Sequence, residues 1–167
     1  MDRVLHYGDG LFETIACVDG RLQFWDEHIE RMRSGAERLG IESAAIENFE
    51  GDVSVLLGKN NISQCVVKLV LTRGQSERGY RSPSPQKTTR IVIISYLSSY
   101  PDDYMTQGIK ACFCQHPLSK NAVLAGIKQL NRLDNVLARN EWRDEYQEGL
   151  MLDDAGHVIE GTMCNVF

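Results

Sequence analysis

Three residues of this chain, Lys128, Glu160 and Arg31, carry the side chains that carbonyl chemistry on a phosphorylated ligand would use. Lys128 stands in LAGIKQLNRLDNVLAR, residues 124–139, behind Gly126 and Ile127 and with no acidic residue after it until Asp134. A lysine held against apolar surface falls from its free pKa of roughly 10.4, and an amine that is neutral near pH 7 is a nucleophile. Glu160 ends HVIE, just before Gly161 and Thr162, where a turn would free backbone N–H groups. Arg31 lies in HIERM beside the apolar stripe of a helix, with Gly35 one turn further on, so it could face a cleft and bind an anion. Each also has an ordinary structural reading: a snorkelling lysine, a strand-end carboxylate, a solvated helix arginine.

The elements that must position these groups are readable from pattern. ETIACV and RLQFW flank Asp19-Gly20, a pair that signals a two-residue hairpin. A helix follows over DEHIERMRSGAERLG, with Asp26 as its cap, Ile29, Met32, Ala36 and Leu39 at helical spacing, and Gly40 as its stop. A second helix is predicted over 46–60. QCVVKLVLTRG and RIVIISYLSSY read as strands, joined by the polar segment GQSERGYRSPSPQKTT. GIKACFCQH alternates as a strand, and a helix is predicted from Asn131 to Tyr146 with Leu130, Leu133 and Leu137 on one side. EGLMLDDAGHVIEGTMCNVF reads as strand, turn, strand, short turn, strand. Hairpin and helix first, then strand, helix and hairpin, predict an α+β fold of two lobes meeting near residues 99–106.

Composition narrows the function classes. The 167 residues carry 18 Lys and Arg against 23 Asp and Glu, a net charge of −5, and no basic tract that would mark a nucleic-acid or acidic-membrane partner. No apolar run is long enough to span a bilayer and MDRVLHYGDG has no signal-peptide core, which together predict a cytoplasmic protein. The five cysteines show neither a CxxC pair nor zinc-ligand spacing, so no metal is expected and buried reduced thiols are the default.

An amine for an aldehyde, a carboxylate for a pyridine nitrogen and a guanidinium for a phosphate are what pyridoxal 5'-phosphate requires. The motifs YGDGLFET, HIERM, TRGQSERGY, AGIKQLNRLDNVLAR and EGLMLDDAGHVIEGTMCNVF, in that order, resemble the class IV pyridoxal-phosphate family. That family holds branched-chain and D-amino acid aminotransferases and aminodeoxychorismate lyase, and RGY and GIKQLNRL are most similar to the lyase. The resemblance implies the two-lobed class IV fold, with residues 1–100 as the small N-terminal lobe and 101–167 as the first part of the larger, cofactor-binding lobe. It implies Lys128 as the catalytic, cofactor-bonding lysine, Glu160 at the pyridine nitrogen, Arg31 on the phosphate, and Thr162 and Asn165 beside the cofactor. Arg78 and Tyr80, in SERGY, are expected to contact the substrate carboxylate. The implied reaction is 4-amino-4-deoxychorismate to 4-aminobenzoate, a folate precursor, and pyruvate, in a homodimer whose partner is a small-molecule substrate. The alternatives are aminotransfer on D-amino or branched-chain amino acids, or a non-catalytic relative. Relatives begin with a further strand and continue past EGTMCNVF, so the chain is expected to be truncated at both ends. Cys164 stands where relatives commonly carry serine.

Overall fold

Along Gly10–Val18, β1, the residues Leu11, Glu13, Ile15 and Cys17 are buried, whereas Phe12, Ala16 and Val18 are half-covered and Thr14 is exposed. That period of two is what a sheet covered on one face imposes. The computed structural model describes residues 1–97 and 99–167. In it β1 pairs antiparallel along its whole length with β3 (Cys65–Thr72), from Gly10↔Thr72 to Cys17↔Cys65. β2 (Arg21–Leu22) and β4 (Thr89–Ser95) complete a sheet of order β2-β1-β3-β4.

The Asp19-Gly20 hairpin is present, with both residues at positive φ (51° and 75°), as a tight turn matching the strand twist requires. Its second strand is only two residues long, because Phe24, also at positive φ, already starts the helix α2 (Trp25–Leu39). Phe24 therefore holds the capping position expected of Asp26, which lies in the first turn, where a carboxylate favours the helix dipole. Gly40 ends the helix as expected, at φ 63° with its N–H on the Ala36 and Glu37 carbonyls. α2 buries Ile29, Met32, Gly35 and Ala36; a Cβ on Gly35 would stand 3.1 Å from Leu11, so the bare glycine is what permits this approach to β1. The predicted helix over 46–60 is two elements: a 3-10 turn (Ala44–Asn48), then α3 (Phe49–Asn60), with Ile46, Phe49 and Val53 buried. A short helix, α1 (Arg3–Tyr7), opens the chain and is capped by the Asp2 side chain on the Val4 N–H.

Residues 126–131 join this first unit. Phe12 N–H donates to the Lys128 carbonyl (3.0 Å), and Leu130 N–H donates to the Gly10 carbonyl (3.1 Å). The compact units are thus Met1–Ser98 with Gly126–Asn131, and Ser99–Ala125 with Arg132–Phe167, which differs from a single division at residue 100.

The second unit holds α4 (Asp103–Gln107) and a three-stranded sheet in which β5 (Ala111–Phe113) runs parallel to β6 (Glu148–Leu152), and β6 antiparallel to β7 (Val158–Gly161). Its core gathers Cys114, Ala138, Trp142 and Met151. The predicted helix over 131–146 is only α5 (Leu133–Arg139). Past Arg139 the chain turns back, with Arg139 donating to the Trp142 carbonyl (3.0 Å), so that the Trp142 ring reaches that core. Ala138, and not the leucine row, is the buried side of α5; Leu133 and Leu137 are exposed. The third strand predicted after Glu160 does not form: residues 162–167 are turn and irregular chain.

Candidate active site

Lys128 is seated by its neighbours. Gly126 takes φ 75°, a conformation that strains residues with a Cβ, and sends the chain onto the free edge of β1. Ile127 is buried, and its side chain reaches to within 3.5 Å of where a Gly35 Cβ would stand. The Gln129 N–H donates to the Ile127 carbonyl (2.9 Å), closing a three-residue turn with Lys128 at its centre. Lys128 is half-buried with its Nζ 4.8 Å from the centroid of the Phe12 ring, a cation–π contact. Lys68 of β3 brings a second amine to the same ring, also at 4.8 Å.

Arg31 is held in a manner the sequence reading did not foresee. Glu13 lies on the inward column of β1 with a fully buried carboxylate, and Arg31 donates to it through Nε (2.7 Å) and Nη2 (2.5 Å). His28 Nδ1 meets the same carboxylate at 2.7 Å. Burial pushes the Glu13 carboxyl up, but the bonds from Arg31 and His28 outweigh it and hold the group below its ordinary value. The pair in turn raises Arg31. The Arg31 side chain is still 48% exposed, so its guanidinium is oriented by Glu13 while open to a ligand.

Arg78 and Tyr80 stand exposed on the segment between β3 and β4, with the Tyr80 ring 5.2 Å from that of Tyr7. The base of this segment is tied down by Asp2, whose Oδ2 accepts from the hydroxyls of Thr72 and Thr89, both at 2.8 Å.

In the second unit Glu160 is half-buried on β7 and accepts from Asn135 Nδ2 at 2.9 Å, with Arg132 Nη1 at 3.5 Å. The same Asn135 amide donates to the Thr162 carbonyl (3.3 Å), so one α5 side chain joins Glu160 to the turn after it. Thr162 and Cys164 are fixed by Glu148, a buried carboxylate that accepts from the Thr162 N–H (3.0 Å) and hydroxyl and from the Cys164 N–H (3.1 Å). Burial raises Glu148, yet these bonds and the Gly149 N–H leave it lowered. Asn165 follows on exposed chain. Structure thus gathers Glu160 and Thr162 around Asn135 and sets Arg78 and Tyr80 on one loop, while Arg31 and Lys128 stand in the first unit, each with its own partners.

Glu13, which holds Arg31, Glu148, which holds Thr162, and Asn135, which holds Glu160, are partners missed in the sequence. The only signal for Glu13 was a charge in a column otherwise occupied by Leu11, Ile15 and Cys17. The thiols divide. Cys17, Cys65 and Cys114 are buried, and burial pushes Cys65 and Cys114 up to about 11. Cys164 is exposed, contrary to the expectation of buried thiols. No helix among the described residues is long and apolar enough to cross a membrane.

The sequence profile of the family described as amino-transferase class IV matches residues 10–167. Aminodeoxychorismate lyase of Vibrio harveyi is 33% identical over 171 residues, taking in 99% of this chain and 61% of that protein. D-alanine aminotransferase of Staphylococcus epidermidis is 32% identical over 170 residues, with 99% and 58% covered. The crystal structure of 4-amino-4-deoxychorismate lyase from Pseudomonas aeruginosa is similar at TM-score 0.85 and 39% identity, over 97% of this chain and 59% of that one. The chain therefore spans about three-fifths of the length of these relatives.

Proposed function

Because this chain belongs to the class IV aminotransferase family, whose members depend on pyridoxal phosphate, we propose that it acts as a pyridoxal-phosphate-dependent lyase on 4-amino-4-deoxychorismate. The products are 4-aminobenzoate and pyruvate. The observation that carries the reading is Lys128, an amine placed over an aromatic ring by a glycine turn and a buried isoleucine. What favours the lyase is, among solved structures, 39% identity to the Pseudomonas aeruginosa lyase against 26% to the Escherichia coli branched-chain aminotransferase; by sequence the Vibrio harveyi lyase and the Staphylococcus epidermidis aminotransferase stand level at 33% and 32%.

The donor set fits the cofactor: an amine in Lys128, an oriented guanidinium in Arg31, a half-buried carboxylate in Glu160 and a turn fixed by Glu148. When bound, pyridoxal phosphate supplies an electron sink for the carbon that loses its proton. Arg31, oriented by Glu13, would bind the phosphate oxygens. Glu160, oriented by Asn135, would keep the ring nitrogen protonated, and Thr162 and Asn165 would lie beside the ring. Arg78 and Tyr80 bind the substrate carboxylate. Lys128 would hold the cofactor aldehyde and, with substrate bound, would take the proton from the substrate carbon that bears the amino group and pass it to the methylene of the departing enolpyruvyl group. Departure of the enolpyruvyl group as pyruvate leaves an aromatic ring, which makes the overall step favourable. On this reading the protein is a cytoplasmic homodimer and its product feeds folate synthesis.

Aminotransfer on a D-amino acid is the second reading, favoured by the D-alanine aminotransferase likeness. Lysine, carboxylate and arginine serve both reactions, so substrate and product decide. Purified protein given pyridoxal phosphate and 4-amino-4-deoxychorismate, with no 2-oxo acid present, is expected to release pyruvate. Formation of glutamate from D-alanine and 2-oxoglutarate, with no pyruvate formed from 4-amino-4-deoxychorismate, would establish the second reading instead.

A further inference from the structure

Arg3 is an arginine with almost no surface: its side chain is 5% exposed. A guanidinium so far from water is costly unless its donors are answered, and the answers identify what it is for. Nε donates to Asp9 Oδ2 (2.7 Å). Nη1 meets Ser76 Oγ (2.9 Å), the Gly79 carbonyl (3.2 Å) and the Arg81 carbonyl (3.3 Å), and Nη2 the Tyr80 carbonyl (3.1 Å). Three consecutive carbonyls of one loop thus converge on a single side chain. Gly79 makes the convergence possible, since it stands at φ 110°, where only glycine is at ease. The Arg3 guanidinium also covers the Tyr7 ring at 5.0 Å, and Tyr7 packs against Tyr80.

Asp9 makes this anchor rigid. Its Oδ2 also accepts from Arg73 Nε (2.9 Å), and Arg73 is itself fixed on the Leu39 and Gly40 carbonyls that end α2 (2.8 and 2.6 Å). Arg3 is therefore braced against the sheet and α2 on one side and grips residues 76–81 on the other. The loop backbone is held while the Arg78 and Tyr80 side chains stay exposed.

We infer that Arg3 is the positioning residue of the substrate-recognition loop: it sets the backbone from which Arg78 and Tyr80 reach the substrate carboxylate, without touching substrate itself. The inference rests on the proposed role of those two residues. A lysine at position 3 keeps the charge against Asp9 but has one nitrogen and no planar fork, so it cannot hold three carbonyls.

The test compares wild type, Arg3→Lys and Arg78→Ala by two readouts. The first is the rate of tryptic cleavage after Arg78 and Arg81, against cleavage after Arg33 and Lys59 in α2 and α3. Arg3→Lys keeps the tryptic site at position 3. Loop cleavage is expected to rise about tenfold, with cleavage in the helices unchanged, because proteolysis follows the population of the open form. The second readout is affinity for 4-aminobenzoate, expected to fall about tenfold in Arg3→Lys as in Arg78→Ala, since displaced recognition groups lose their contacts. Ser76→Ala, which removes one of the Arg3 acceptors together with the hydroxyl's own bond to the Glu77 carbonyl (2.9 Å), should give a smaller rise in loop cleavage. Unchanged loop cleavage in Arg3→Lys, or an equal rise at all four sites, overturns the inference. So does a freed loop whose 4-aminobenzoate affinity is intact while Arg78→Ala loses it. If wild type does not bind 4-aminobenzoate, or Arg78→Ala binds it as wild type does, the reading of the loop fails. Loop cleavage alone then decides whether Arg3 holds it.

Discussion

Glu13 has no exposed side-chain surface, and its carboxylate meets Arg31 through two bonds and His28 through a third. Breaking a buried pair from one side leaves the other charge stranded, which typically costs more than the pair contributes. Arg31→Ala therefore does more than remove a phosphate ligand. It should lower the stability of the chain by about 1–3 kcal/mol in urea unfolding, less than for a fully buried pair because the arginine is partly solvated. Arg31→Ala combined with Glu13→Gln should recover part of that loss; a double variant as unstable as the sum of the singles would contradict the coupling. The pH dependence follows from the lowered Glu13 carboxyl. A group whose folded pKa lies below its unfolded value stabilises fully above the unfolded value and loses that contribution as pH falls through the folded one. The stability gap between wild type and Glu13→Gln should thus be full at neutral pH and close on acidification below about 4.3. A gap that is constant from pH 7 to pH 3 would show that folding does not lower the Glu13 carboxyl.

At the scale of elements, one glycine of the second unit acts through close approach. Gly149 of β6 leaves room for the Trp142 ring: a Cβ there would lie 2.3 Å from the ring and 2.6 Å from Cys114 Sγ. Gly149→Ala should destabilise the second unit by about 1–3 kcal/mol through overpacking, with Trp142 fluorescence reporting the loss. A variant as stable as wild type, with the same emission, would refute that packing. These elements also show what was legible in the sequence. The Asp19-Gly20 turn, the end of α2 at Gly40, and strands β3 and β4 were readable because their signals are local: a turn pair, a glycine stop, β-branched runs. The extent of the helix after Lys128 was not. Its apolar spacing continues toward Tyr146, but the helix stops at Arg139 because Trp142 is drawn into a core made of residues distant in sequence. Tertiary packing outweighed local propensity there. Glu13 and Arg3 were hidden for a related reason. Alternation along β1 shows two columns of similar apolarity, and only the pairing with His28 and Arg31 tells which faces inward. Arg3 owes its burial to loop carbonyls more than seventy residues away.

At the scale of the molecule, the α+β class and the family agree with the order of motifs. One assignment at that scale moved: Lys128, expected with the later lobe, belongs by its backbone bonds to the first unit. The central claim is that Lys128 is the amine that bonds pyridoxal phosphate. Structure supplies a rival in Lys68, whose Nζ is at the same distance from the same ring. The most direct test is borohydride reduction of the protein mixed with pyridoxal phosphate, followed by peptide mapping. The assignment of Lys128 predicts a reduced adduct on that residue, abolished in Lys128→Ala and retained in Lys68→Ala. Adduct on Lys68 alone, or no adduct on either lysine, would contradict it.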